Sequence, residues 1–256
     1  MNFIISTVRH NQHLLNDTAK KWSDILQRPY IVRENLTLDD MLKHCQAEAV
    51  LLVTSKGPKV YNKDGYFFYH PSMAKLRVDA LRNGGTDHLV EAMALKAGMR
   101  VLDCTLGLAS DAAVVSYVVG KSGKVLGLES SELLHFAVQY GLRNYNKADT
   151  YFTDALRRIT TVLTDAETFL QTTQEEFDVI YFDPMFQIPV SKSSNMKPLR
   201  SLACEKSITR DLLDRALQLA PRVVIKERYR QYLCNLGCTE FYGGKYSAIK
   251  YGVRLR

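Results

Sequence analysis

The stretch VLDCTLGLASDA, residues 101–112, decides how the rest of the chain is read. An apolar run ends on Asp103, the chain turns at Gly107, and Ser110 and Asp111 open the helically spaced SDAAVVSYVV. This is strand, tight turn, helix. Glycine lets a backbone pass close to a ligand, and the first turn of a helix offers unpaired N–H groups. A turn built for a dinucleotide pyrophosphate wants G-x-G-x-x-G. Here one glycine stands where that pattern wants three, and the acid before it would repel a pyrophosphate and suit a cation.

Downstream the unit repeats. KVLGLE precedes SELLHFAVQYGLRNY, TTVLT precedes a short helix after Asp165, and FDVIYF precedes a long loop and a helix from about Ile208 to Leu219, after which comes RVVIK. Strands alternating with helices predict a mostly parallel sheet covered on both faces. Gly243-Gly244 between two aromatic strands is a hairpin signal, so the sheet is expected to close on an antiparallel edge strand. Upstream, FIISTV, a helix from about Leu14 to Leu26, YIVR, LTLDDMLKHCQ with Thr37 as N-cap, AVLLVTS, KVYN and GYFFYH read as a small α/β unit. The expected division is therefore residues 1–70 and 71–256. Between them lie a basic segment, a turn at Asn83-Gly84-Gly85 and a helix from about Asp87 to Lys96.

A chain of 256 residues, 46% apolar, can bury a sizeable core. No apolar run is long enough to span a bilayer, and MNFIISTVRHNQ turns polar too soon for a signal peptide. A cytoplasmic protein is expected. The 5 cysteines are an odd number, which argues against a disulfide framework. Cys234 and Cys238 lack neighbours to complete a metal site, so no metal is expected. The net charge of +7 suits a polyanionic partner such as nucleic acid, or merely a solvated surface.

In an open parallel sheet ligands sit beyond the carboxyl ends of the strands, so the residue ending each strand matters. Glu129 ends KVLGLE, about twenty residues after the glycine turn, where a carboxylate can accept from both hydroxyls of a ribose. Asp165 ends TTVLT, where it can accept from an adenine amine or simply cap a helix. Asp183 ends FDVIYF and is followed by Pro184, Met185 and Phe186. A carboxylate and a nearby backbone carbonyl can hold the protons of one –NH2 group, while an aromatic ring stacks on the flat ring that carries it. An exocyclic amine is a poor nucleophile because its lone pair is conjugated into the ring. Two acceptors favour a pyramidal nitrogen and expose that pair, and Asp183 is the nearest group to take the departing proton.

Taken in order, these features resemble the class I S-adenosylmethionine-dependent methyltransferases, from about Thr86 to the C-terminus. VLDCTLGLASDA resembles their glycine-turn motif, Glu129 the ribose acid, Asp165-Ala166 the adenine-side motif, and DPMF the D/N-P-P-Y/F motif of amine methylation, with Met185 in place of the second proline. LDCTLGLASDA, LESS and YFDPMF with its following basic loop are similar to the RsmJ-type family, which methylates guanine N2 in small-subunit ribosomal RNA. The resemblance implies a seven-stranded Rossmann-like sheet, S-adenosylmethionine as cofactor and RNA as partner. It implies cofactor contacts at Asp103, Gly107, Ser110, Asp111, Glu129, Ser130, Asp165, Ala166 and Asp183, with Asp183, Pro184 and Phe186 catalytic. Lys192, Lys197 and Arg200 in the loop after the motif, with Lys226, Arg228, Arg230, Lys75, Arg77 and Arg82, are candidates to meet phosphates. A protein or small-molecule acceptor, a nicotinamide oxidoreductase and a non-catalytic RNA-binding module are the alternatives. Residues 1–70 and the oligomeric state stay unassigned.

Overall fold

Two β-sheets organise the described residues of the computed structural model, which are 1–10, 12–147, 149–184, 207–245 and 247–256. The first part holds β1 (Phe3–Thr7), α1 (Gln12–Leu26), α2 (Leu38–His44), β2 (Ala49–Thr54), β3 (Gly57–Asn62) and β4 (Gly65–Phe67). Its strands lie in the order β1-β2-β3-β4, with β1 parallel to β2 and the rest antiparallel. β1 and β2 are apolar on both faces because both faces are covered. Phe3, Ile5, Leu51 and Val53 join the cluster of Trp22 from α1, while Ile4, Val50 and Leu52 pack with Leu38 and Met41 of α2. Thr37 caps α2 in a reciprocal capping box with Asp40.

Then come α3 (Ser72–Arg82), α4 (His88–Met93), β5 (Arg100–Asp103), α5 (Ser110–Val119), β6 (Lys124–Glu129), α6 (Glu132–Asn144), α7 (Thr150–Arg157), β7 (Ile159–Leu163), α8 (Ala166–Thr172) and β8 (Val179–Phe182). After residues 185–206 follow α9 (Arg210–Leu219), β9 (Arg222–Glu227), α10 (Arg230–Asn235), β10 (Glu240–Tyr242) and β11 (Lys250–Leu255). These strands form a seven-stranded sheet in the order β10-β11-β9-β8-β5-β6-β7. β5 to β9 are mutually parallel and β11 runs antiparallel to both β9 and β10. Val101, Val125, Val179, Tyr181 and Val224 face one core, and Leu102, Leu126, Ile180, Phe182 and Ile225 face the other. That is the expected mostly parallel α/β sheet with its C-terminal antiparallel hairpin.

The details differ in instructive places. β10, not the antiparallel β11, takes the edge, because the chain after β10 folds back into the gap beside β9. The hairpin loop runs over residues 243–249 rather than turning tightly at Gly243-Gly244. YIVR is no strand: Tyr30 makes only a single bridge to Ile5. Residues 72–82 are helical where only a basic segment was expected, and the helix expected from Asp87 to Lys96 is shorter, capped by the Asp87 side chain.

The first sheet packs along α6. Trp22 meets Phe136 and Tyr140 edge-on, with centroids 5.1 and 5.5 Å apart. Arg28 pairs with Glu132 at 2.6 Å. Tyr69 lies so close over Gly141 that any Cβ at 141 would collide with its ring and, at 2.7 Å, with its own Cβ.

Candidate active site

The order β8-β5-β6 marks a reversal: the chain leaves β5 for β6 and β7 on one side, then returns to build β8 and β9 on the other. In open α/β sheets the crevice outside the strand ends at such a reversal receives the ligand. Asp103 is the last residue of β5 and Asp183 the first after β8. Two bonds lace the loops together: the Cys104 N–H donates to the Tyr181 carbonyl at 2.9 Å, and the Asp183 N–H to Thr105 Oγ1 at 2.5 Å.

The glycine turn is shaped by left-handed backbone at Gly107 (φ 49°) and Ala109 (φ 55°). Ala109, an L-residue with φ in the left-handed region, precedes Ser110, the first residue of α5. Leu106 folds down onto Gly127 of β6, and a Cβ there would run into its side chain. The Gly107 N–H donates to Glu129 Oε2 at 3.2 Å, and the Ser131 N–H to Oε1 at 2.9 Å. Burial raises the Glu129 pKa, while these amides and that of Ser130 pull it down. The turn and Glu129 thus hold each other, across two strand ends.

Acids dominate what lies between. Asp103 is 3% exposed and accepts from the Thr105 N–H at 3.0 Å. Burial pushes its pKa up to about 8, with the charges of Asp111 and Asp183 adding to the rise. Asp111, also buried, accepts from Arg77, from Lys226 Nζ at 2.9 Å and from the Tyr181 hydroxyl at 2.8 Å. Against the cost of burial, Lys226 and Arg77 hold its carboxyl well below the usual range. Arg77 forks onto a second acid, Asp87, at 2.7 and 2.9 Å. Lys226 turns the other way as well, and donates to Asp183 Oδ2 at 2.7 Å. Burial raises the Asp183 pKa and Lys226 opposes it. Among the described residues, Asp183 Oδ1 accepts no hydrogen bond.

The structure therefore brings Asp103, Gly107, Asp111, Glu129 and Asp183 to one end of the sheet, with Ser110 and Pro184 beside them. Ser130 is exposed next to Glu129. Asp165 ends β7 and uses its side chain to cap α8, accepting from Thr168 N at 3.3 Å and from Thr168 Oγ1 at 2.7 Å, with Ala166 as the first helical residue. Phe186 and the basic residues Lys192, Lys197 and Arg200 lie outside the described residues. Two residues expected on a phosphate-binding face do something else: Arg77 and Lys226 are turned inward onto acids. Lys75 is engaged with Asp79 and the Tyr151 hydroxyl, and Arg82 stacks over the Tyr151 ring. A charge at the end of the apolar run RVVIK was the one sequence signal for Lys226; its two partners lie 43 and 115 residues away.

Chemically this is a cluster of acceptors at the strand ends. A ligand that suits it brings positive charge to Asp103, hydroxyls or N–H groups to Glu129, and an N–H to Asp183.

Residues 40–245 match the family model described as "Putative SAM-dependent methyltransferase". The uncharacterized protein YpiP of Bacillus subtilis is 36% identical over 231 residues, covering 89% of each chain. Ribosomal RNA small subunit methyltransferase J of Francisella tularensis is 28% identical over 138 residues, 51% of this chain and 55% of that one. The crystal structure of the SAM-dependent methyltransferase NGO1261 from Neisseria gonorrhoeae shares the fold, with a TM-score of 0.65 at 18% identity, covering 98% of this chain and 95% of the other.

Proposed function

The chain belongs to the SAM-dependent methyltransferase family, and from that premise we propose that it methylates an exocyclic amine of a nucleic-acid base, guanine N2 in small-subunit ribosomal RNA. It is an enzyme whose cofactor is S-adenosylmethionine, which supplies an electrophilic methyl group on a sulfonium.

The residues suit that cofactor. Asp103 is a buried acid whose neighbouring cation, Lys226, is committed to Asp111 and Asp183, so it is free to meet the ammonium of a bound amino acid. Glu129 is fixed by amides at an orientation from which it can accept from ribose hydroxyls. Gly107 and the first turn of α5, opened by Ser110 and Asp111, bring backbone close to the ligand. Asp111 itself serves through its ion pairs. Ser130, Asp165 and Ala166 line the adenosine side.

The observation that carries the amine reading is Asp183, fixed on one oxygen by Lys226 at 2.7 Å while the other oxygen accepts no hydrogen bond among the described residues. Lys226 keeps the carboxylate ionised, so it accepts rather than donates. The open oxygen and the Pro184 carbonyl take the two amine protons, and Phe186 provides the platform for the base. In the proposed reaction the nitrogen lone pair would take the methyl group as its bond to the sulfonium sulfur breaks, the electron pair leaving with the thioether product, and one N–H proton would pass to Asp183 and then to water. A guanine amine is hidden in a helix, so the base must be unpaired or flipped, at a cost of a few kcal/mol. RNA as acceptor is supported by the relatives named for small-subunit ribosomal RNA and by the net charge of +7.

The test is transfer of labelled methyl from S-adenosylmethionine to small-subunit rRNA taken from a strain lacking this protein, with mapping of the labelled nucleotide. Asp183→Ala should abolish labelling; full activity in that variant would remove the catalytic assignment. Label appearing on protein or a metabolite instead would replace the acceptor and leave the methyltransferase.

A further inference from the structure

A row of exposed rings runs along the edge of the N-terminal sheet, outside the strand-end site described above. β4 is an outermost strand, paired only with β3. From Tyr66 to His70 the chain alternates strictly: Tyr66, Phe68 and His70 face solvent, Phe67 is buried and Tyr69 packs on Gly141. Tyr66 is 48% and Phe68 55% exposed. Tyr61 lies against Tyr66 with centroids 4.8 Å apart, Phe68 is 6.4 Å from His70, and His70 is 6.1 Å from Tyr145.

Cations accompany the rings. Lys59 Nζ sits 3.9 Å from the centroid of Tyr66. Arg9 and Arg33 both donate to the Leu36 carbonyl, and Arg33 feels the like charge of Arg9. Neither arginine has an ion-pair partner among the described residues. Two like charges converging on one carbonyl repel, and an anion between them would relieve that. Acids in the surrounding sequence include Glu34, next to Arg33, Asp39, bonded to the Tyr61 hydroxyl at 2.6 Å, Asp40, held in the capping box of α2, and Asp64 in the β3–β4 turn.

We propose that this face, with Tyr66, Phe68 and His70 as platform and Lys59, Arg9 and Arg33 as phosphate contacts, binds a single-stranded stretch of the RNA substrate away from the methylated nucleotide. The inference rests on the RNA reading given above. Bases stack on aromatic rings whatever their sequence, and arginines position a backbone without reading it. Tyr145 follows the far end of α6, whose first turn adjoins Glu129; its 13 residues put the row about 20 Å from the ribose acid. A site so placed helps only an acceptor tens of ångströms long, as an rRNA is.

The experiment uses the full chain in two assays: anisotropy of a fluorescein-labelled single-stranded oligouridine, and methyl-transfer kinetics on small-subunit rRNA. Tyr66→Ala/Phe68→Ala should weaken oligonucleotide binding by at least about fivefold, the lower end of one stacked ring. It should raise KM for rRNA similarly and leave kcat and S-adenosylmethionine affinity unchanged, which also shows that the variant is folded. Phe68→Trp should bind like wild type and Phe68→Leu should not. Unchanged oligonucleotide binding and KM in the double variant would overturn the face while the methyltransferase reading stands. So would a variant that changes the sedimentation of the protein instead, since the row would then join two copies. Wild-type protein that labels no RNA removes both readings at once.

Discussion

Replacing Lys226 by Met should shift the pH dependence of catalysis rather than simply abolish it. Lys226 Nζ is 2.7 Å from Asp183 Oδ2. Two unit charges at that distance attract by about 6 kcal/mol at an effective dielectric near 20. The two side chains are 15% and 28% exposed, so water screens part of this. If about 2–3 kcal/mol survives screening, the Asp183 pKa rises by roughly 1.5–2 units when the ammonium is removed. Asp183 works ionised, so activity is lost as pH falls through its pKa, and a raised pKa moves that acid limb to higher pH. Single-turnover methyl transfer to rRNA across pH 5–9.5 should show the limb displaced upward from about 6 by more than 1 unit, with activity near neutrality down about four- to tenfold and recovering in alkali. Asp111 keeps Arg77 and the Tyr181 hydroxyl, so the fold survives. Lys226→Arg, which keeps the charge, should return the limb to its place. A uniform loss at every pH, with the limb unmoved, would show that Lys226 only braces the structure and would refute the electrostatic argument.

Asp103, held near 8 by burial, must ionise to meet an ammonium. S-adenosylmethionine binding should therefore release a proton and tighten as pH rises from 6 to 8, seen by calorimetry in buffers of different ionisation enthalpy; Asp103→Asn should bind weakly and without this dependence. The ligand-free fold holds a proton there that the unfolded chain releases near pH 4, so stability falls as pH rises from about 4 to 8, and Asp103→Asn should flatten that part of the melting profile. Gly141→Ala gains about 1 kcal/mol of helix propensity but drives a methyl into half-buried Tyr69, at about 1–3 kcal/mol. The net loss should lower the melting temperature by a few degrees, whereas a rise would show that Tyr69 moves freely. We propose that residues 1–70 and 71–256 are separate units in sequence only: the 71–256 fragment would expose Phe136 and Tyr140 on α6, and should aggregate or melt well below the whole chain in parallel thermal scans.

The parallel sheet was legible because its strands are buried on both faces and each is followed by a helix. The site was legible where function is local. Asp103, Gly107, Glu129 and Asp183 each end or follow a strand, and the sheet alone brings strand ends together. What sequence hid was long-range or against the grain. Lys226 and Arg77 read as surface cations, yet each spans two acids from other elements. α3 escaped because it buries Ala74 and Val78 while exposing Met73 and Leu76, so its larger apolar residues trace the wrong face, and Pro71 offers no side-chain cap. YIVR failed as a strand because Pro29 precedes it and its pairing with β1 stops at one bridge, Tyr30 to Ile5, closed by the Ile31 N–H on the Ile5 carbonyl and the Ile5 N–H on the Pro29 carbonyl.

The charge pattern also explains why a single glycine suffices in the turn. Asp103, Asp111 and Asp183 converge around one lysine, with Arg77 shared between Asp111 and Asp87. A ligand with a pyrophosphate would add negative charge to a group already short of cations, and extra glycines to cradle it would gain nothing. A ligand carrying an ammonium and a sulfonium brings the charge that the acids lack. Burying such acids costs stability when no cation is present, and Asp103 avoids that cost by holding a proton. Under the proposed amine chemistry Asp183 could not use the same escape, because a protonated carboxyl would donate where the amine needs an acceptor. Lys226 resolves the conflict. In the proposed reaction it would supply the cation from within the fold at the acid that accepts from the amine, before any substrate arrives, and Asp103 would receive its cation with the donor.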